Sequence, residues 1–272
     1  MRAASENLVP VTLELGGKSP VIISPKADMA PTTDALMAGK MLNAGQICLA
    51  PDYVFVPRDR MGEFVESSKR SVAKMYPTLL DNPDYTSVVN ERHFQRINGY
   101  VDEARERGVE VVEINPANED FRQQSAHKIA PTFLIDPPED SAVMQDEIFG
   151  PVMPIKSYDT LDETVDYVNS HDRPLGLYYF GTDQQETDQV LGNTTSGGVT
   201  LNDVVMHVAQ EDLPFGGVGP SGMGSYHGED GFRTFSHAKA VFKQATFNPA
   251  EKLGLRPPYG EKLMGLLKAQ MK

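Results

Sequence analysis

Two residues of this 272-residue chain could do chemistry together: Cys48, its only cysteine, in "NAGQIC", and Glu14 in "LELGG". A thiolate attacks a carbonyl carbon well, and a carboxylate close by can act as general base for the thiol or for a water that attacks the resulting acyl-cysteine. A cysteine placed just after a helix-to-loop break, behind small polar residues, is expected to be partly exposed, with its thiolate stabilised by backbone N–H groups. The bland alternatives are a small buried hydrophobe for Cys48 and a solvent-facing strand glutamate for Glu14.

The elements that must position these groups are legible in the periodicity. "VTLEL" and "SPVIISP" read as strands split by the turn "GGK". Leu36, Met37, Met41 and Leu42 recur at helical spacing within 34–49, and "NAGQ" breaks that pattern before Ile47. "PDYVFVP" is a strand bounded by prolines, followed by amphipathic helices through Met61–Met75 and Phe94–Ala104, the second ending at Gly108. "VEVVEI", "APTFLIDPP" and "GPVMPIKSY" read as extended, Thr160 and Glu163 as a capping box, and "LGLYYFG" and "GGVTLND" as strands around a helix at 185–191. Strands alternating with helices give an α/β fold with a largely parallel sheet. After Phe242 the pattern weakens into a proline-containing tail and a short helix with Leu263, Leu266 and Leu267.

Composition excludes several classes. The formal net charge is −13, from 25 Lys+Arg against 38 Asp+Glu, with no basic run to grip a phosphate backbone, so nucleic acid is not an expected partner. No apolar run approaches the length that crosses a bilayer, and no membrane partner is expected. The first residues lack a secretory pattern and one cysteine cannot form an internal disulfide, which together favour a cytoplasmic setting. Six histidines without paired spacing argue against a metal site. Two motifs are false friends. "GGKS" ends like a phosphate-binding loop but lacks the upstream glycine, and "GVGPSG" at Gly217, Gly219 and Gly222 follows no strand and carries Pro220 in its centre. The second reads instead as a loop whose backbone passes close to something.

"LELGGKSP" at 13–20, "NAGQIC" at 43–48, "EIFGPV" at 147–152 and "LPFGGVGPSGMGSYHG" at 213–228 together resemble the aldehyde dehydrogenase superfamily, in that family's order and approximate spacing. The texture of 197–224 and "RPPYG" in the tail is similar to the class 3 branch, and within it to the bacterial coniferyl aldehyde dehydrogenase group. The resemblance implies an aldehyde dehydrogenase-like catalytic domain in which Cys48 forms a thiohemiacetal with an aldehyde, oxidation by NAD or NADP leaves a thioester, and Glu14 activates the hydrolytic water. It further implies that Glu147 and Phe149 contact the nicotinamide end of the cofactor, and that Phe215, Asn202 and His207 border the substrate pocket. Core packing stands beside the first of these pocket roles, and a structural histidine beside the last.

The same resemblance implies that residues 1–42 are a remnant of the cofactor-binding Rossmann domain, 43–242 the catalytic domain, and 243–272 a tail belonging to the oligomerisation region. Most of the family's dinucleotide site, and the asparagine of its oxyanion hole, would then lie outside this chain. Little turnover by the chain alone is expected, since losing one oxyanion donor typically costs about 10²–10³-fold. Apolar surface uncovered near residues 11–24 would favour a homodimer or higher homo-oligomer. Three functions follow as expectations: an oxidoreductase acting on a small, aromatic, coniferyl-type aldehyde; a non-catalytic catalytic/oligomerisation domain; or a cysteine-dependent esterase.

Overall fold

Short β-branched and aromatic runs between turns, separated by helices with one apolar face, can bury both faces of a sheet only if helices cover each side. The computed structural model, which describes residues 1–122 and 124–271, shows this arrangement. Its strands are β1 (Leu13–Glu14), β2 (Ser19–Ile23), β3 (Pro51–Pro57), β4 (Glu110–Glu113), β5 (Thr132–Ile135), β6 (Val152–Tyr158), β7 (Gly176–Phe180), β8 (Gly198–Leu201) and β9 (Gly222–Met223). Its principal helices are α1 (Arg2–Glu6), α2 (Met29–Met41), α3 (Met61–Met75), α4 (Glu91–Glu106), α5 (Ala142–Gln145), α6 (Leu161–Ser170), α7 (Gln184–Asn193) and α8 (Gly228–Thr234).

Seven strands form one sheet in the order β4-β5-β6-β3-β2-β7-β8. Only β4 runs antiparallel to its neighbour, so the sheet is largely parallel. Alternation along each strand sorts the core. Val21, Ile23, Val54, Val56, Phe133 and Ile155 face α2 and α3, with Leu36, Met37, Met41, Phe64 and Val72 packed on them. Ile22, Tyr53, Phe55, Leu177 and Tyr179 face the other way, onto Val165, Val168 and Val190 of α6 and α7. Ile97, Tyr100 and Val101 of α4 cover Leu134 and Val152 on that same side.

Residues 1–235 make one compact unit, which contains the sheet, and residues 236–272 a second, with helices at Pro249–Lys252 and Glu261–Gln270. No helix among the described residues is long and apolar enough to cross a membrane.

Several local expectations shift. Helix α2 starts earlier than its apolar periodicity, at Met29, where the Asp28 side chain accepts from the Ala30 N–H, and it stops at Met41, just before the "NAGQ" break. Its stop is enforced by left-handed backbone at Asn43 (φ 50°) and Ala44 (φ 52°). The capping box at Thr160 is half formed. Glu163 reaches back to the Asp159 N–H (3.1 Å) and the Thr160 hydroxyl (3.2 Å), but the Thr160 side chain caps no helix N–H. The strand read across "VTLEL" shortens to two residues.

Candidate active site

Cys48 lies in the loop that joins α2 to β3, at the amino-terminal edge of the parallel strands. The loop is closed by its own side chains. Asn43 Nδ2 donates to the Gln46 carbonyl (3.1 Å), Gln46 Nε2 donates back to the Asn43 carbonyl (3.0 Å), and Gln46 also bonds the Ser87 carbonyl (3.0 Å) and the Val89 N–H (2.9 Å). Behind the cysteine, the Tyr178 phenol from β7 donates to the Leu49 carbonyl at 2.6 Å. The sulfur is thus held on a braced turn, half-buried among Leu49, Leu175 and Phe215.

Glu14 reaches the sulfur from β1, which pairs antiparallel with β9 so that Glu14 faces Gly222. This pairing accounts for the glycine-rich loop. A Cβ on Gly222 (φ +144°) would stand 2.3 Å from the Leu13 carbonyl oxygen, so the backbone could not come this close with any other residue there. The Cys48 thiol donates to Glu14 Oε1 at 3.3 Å, and the Tyr226 phenol donates to Oε2 at 2.7 Å.

The electrostatics reverse one expectation. The Cys48 backbone N–H does favour the thiolate, yet burial first, then the Glu14 carboxylate that accepts the thiol proton and the more distant charge of Glu147, push the thiol up to about 12. At neutral pH the sulfur is protonated and must surrender its proton when it reacts.

Glu147 stands in the loop between α5 and β6 and accepts from the Gly17 N–H at 3.0 Å. Gly16 (φ +81°) is the other half of this cradle, because a Cβ there would lie 2.8 Å from Glu147 Oε1. Burial raises the Glu147 carboxyl above the ordinary glutamate range. Phe149, two residues on, has left-handed backbone (φ 48°) and keeps its ring 40% exposed. A cavity of ≈ 550 Å³ opens beside the Gly16–Gly17 turn, lined by Lys18, Glu147, Tyr167 and Arg173 among others; Cys48 does not line it.

Residues 1–241 match the family described as "Aldehyde dehydrogenase family". The chain belongs to that family. It is 63% identical to a probable coniferyl aldehyde dehydrogenase of Caulobacter vibrioides, over 100% of this chain and 56% of that protein. It is 39% identical to the rat (Rattus norvegicus) protein named aldehyde dehydrogenase, dimeric NADP-preferring, over 97% of this chain and 56% of that one. Among solved structures, the substrate-bound state of Staphylococcus aureus AldH superposes with a TM-score of 0.87 at 38% identity, over 100% of this chain and 57% of that one. The chain therefore spans about half the length of the relatives it matches.

Of the remaining residues singled out in this family member, Phe215 is buried and packs with Leu49 beside the half-buried Cys48 and Tyr226. His207 is buried behind it, ring centroids 6.1 Å apart, with Nδ1 bonded to the Thr200 hydroxyl at 2.8 Å and its pKa lowered by burial. Asn202 sits just past the carboxyl end of β8, where its Oδ1 accepts from the Gly181 N–H at 2.8 Å.

Four side chains that hold the site escaped the sequence reading. Buried Asp52 accepts from the Ile148 N–H (2.9 Å) and pairs with Lys18, whose Nζ also donates to the Val143 (2.8 Å) and Asp146 (2.7 Å) carbonyls. Arg96 of α4 donates to the Ile148 carbonyl at 2.8 Å. Tyr226 was the fourth, and the only hint of it was its place inside the "SYHG" that ends the glycine-rich motif.

Proposed function

We propose that this chain carries the aldehyde-oxidising site of its family, with Cys48 as nucleophile, Glu14 as general base, and Glu147 and Phe149 beside the nicotinamide end of NAD or NADP. The 3.3 Å approach of the Cys48 sulfur to Glu14 Oε1 carries the reading. A thiol that donates to a carboxylate can pass its proton along that bond as it adds to the aldehyde carbon. After oxidation, the acyl group rests on the same sulfur and Glu14 is within reach of a water attacking it. Glu14 takes the water's proton, the carbon–sulfur bond breaks, and the acid leaves as the thiol is restored.

The residues present fit one end of a dinucleotide. Glu147 Oε1 is bound to the Gly17 N–H while its second oxygen has no hydrogen-bond donor among the described residues and could accept from ribose hydroxyls, and the side-chain-free Gly16 lets the carboxylate lie against the turn. When bound, NAD or NADP supplies the two-electron acceptor. The aromatic wall at Phe215 and the name of the Caulobacter relative support an aromatic, coniferyl-type aldehyde as substrate. The rat relative's name supports a homodimer or higher homo-oligomer, and a single free thiol suits a cytoplasmic setting.

An activated ester tests the nucleophile without cofactor. Brief exposure to 4-nitrophenyl acetate should add one acetyl group to the intact mass, and Cys48→Ser should abolish it; an adduct that survives this substitution would overturn the assignment. Calorimetric titration with NAD+ and NADP+ tests the cofactor end. Heat at micromolar cofactor that is lost in Glu147→Ala supports Glu147, and micromolar heat unchanged by that substitution removes it from the site.

A further inference from the structure

We propose that Tyr226 is a positioning residue that acts through Glu14, fixing the carboxylate so that one oxygen faces the Cys48 sulfur. The inference rests on the reading of Cys48 and Glu14 as nucleophile and base. Glu14 lies on a strand of two residues, too short to orient a side chain by itself, and its carboxylate has no ion pair among the described residues. Its two oxygens are held from different elements instead. Oε2 accepts from the Tyr226 phenol at 2.7 Å, and Oε1 is left to accept from the thiol at 3.3 Å.

Tyr226 is itself anchored. Its N–H donates to the Phe215 carbonyl at 3.1 Å, its ring meets Phe215 edge-on at 5.7 Å, and His227 flanks it edge-on at 4.9 Å. Burial, then the carboxylate it donates to, raise the phenol above its ordinary value, so it stays a donor throughout the range in which the thiol could react. The charged groups that face the sulfur are Glu14 and, farther off, Glu147; from β7 the neutral phenol of Tyr178 faces the neighbouring Leu49 carbonyl. A phenol hydrogen bond drains charge from Glu14. Its removal should leave a carboxylate with more charge on the oxygen that faces the thiol, and less well aimed.

Because the chain has one cysteine, alkylation by iodoacetamide followed by intact mass reports Cys48 alone. Glu14→Gln removes the charge that opposes the thiolate, and should move the pH–rate profile down so that alkylation near neutral pH quickens by about tenfold for each unit of displacement. Tyr226→Phe in the parent should move the profile the other way, slowing alkylation several-fold, and should change nothing in the Glu14→Gln background. A profile unmoved by Tyr226→Phe, or moved equally in both backgrounds as loosened packing would do, overturns the proposal.

If Glu14→Gln does not fold, Glu14→Asp, whose shorter side chain draws the carboxylate back from the phenol, takes its place: Tyr226→Phe should move the alkylation profile less there than in the parent, and an equal displacement would overturn the proposal. Failure of the ester to acetylate Cys48 would sink the functional reading while leaving these two readouts intact.

Discussion

The two edges of the sheet use the same residue types in opposite ways. At the carboxyl edge, carboxylates are spent on fixed partners: Glu186 accepts from the Ser24 hydroxyl (2.5 Å) and the Tyr179 phenol (2.7 Å), Asp183 pairs with Lys26 and caps α7, and Asp159 takes both arms of Arg58. At the amino edge Glu14 and Glu147 meet only neutral donors among the described residues, next to the single thiol. Ligands in open α/β sheets usually gather outside the carboxyl ends of the strands. Here the carboxylates named at that edge all have fixed partners, as Asp52 also does at the amino edge, and the candidate chemistry stands with Glu14 and Glu147. Availability of the groups, rather than the rule for the fold class, marks the site.

That contrast predicts unequal costs. The amino edge hangs on Asp52, which is buried and holds Lys18 and the Ile148 N–H at once. Asp52→Ala should lose about 3–5 kcal/mol of stability in denaturant unfolding, since it strands a largely buried cation. A loss below about 1 kcal/mol would show that the clamp is dispensable.

Lys40 is a second buried cation of the amino edge. Fully buried on α2, it donates to the Pro51 carbonyl at 2.8 Å, and burial lowers its pKa from 10.5 to about 8. Between those values the folded chain has released the proton and the unfolded chain still holds it, so stability gained through Lys40 rises with pH across this window and is lost as pH falls through about 8. Relative to Lys40→Met, the parent should gain about 3 kcal/mol from pH 8 to 10.5. A flat difference between the two chains would place the lysine charge in water. The smallest effect belongs to the other edge. Arg58→Ala, which breaks an exposed pair, should move the thermal midpoint by less than about 2 °C.

What the sequence disclosed divides along the same physical line. Periodicity and local stop signals are short-range, and they located the parallel-sheet strands and the end of α4, where the Val109 and Gly108 N–H groups bond the Ala104 (2.9 Å) and Arg105 (3.1 Å) carbonyls as a helix-ending glycine predicts. Residue type and setting singled out Cys48 and Glu14, 34 residues apart, the resemblance gave them roles, and the fold brings them to hydrogen-bond distance. Lys18–Asp52, Arg96–Ile148 and Tyr226–Glu14 are illegible for a different reason. Each joins polar groups from separate elements, and a lysine, arginine or tyrosine aimed inward has the same letter as one in solvent. The two-residue β1 failed as a longer strand because its only partner, β9, lies more than two hundred residues away and offers two residues to pair with. Asn202 and His207 follow β8 in turn, and the fold gives them different partners, the Gly181 N–H for the first and the Thr200 hydroxyl for the second.

The protonated state of the Cys48 sulfur has a consequence for the protein's durability. Peroxides and other oxidants consume thiolates, and a thiol pushed up to about 12 offers them almost none at neutral pH. Burial, and after it the carboxylate that would draw the proton away during a reaction, keeps that proton in place between reactions. A chain with no second cysteine to rescue a sulfenic acid as a disulfide is guarded from irreversible oxidation by burial of the sulfur first and by the 3.3 Å hydrogen bond to Glu14 second.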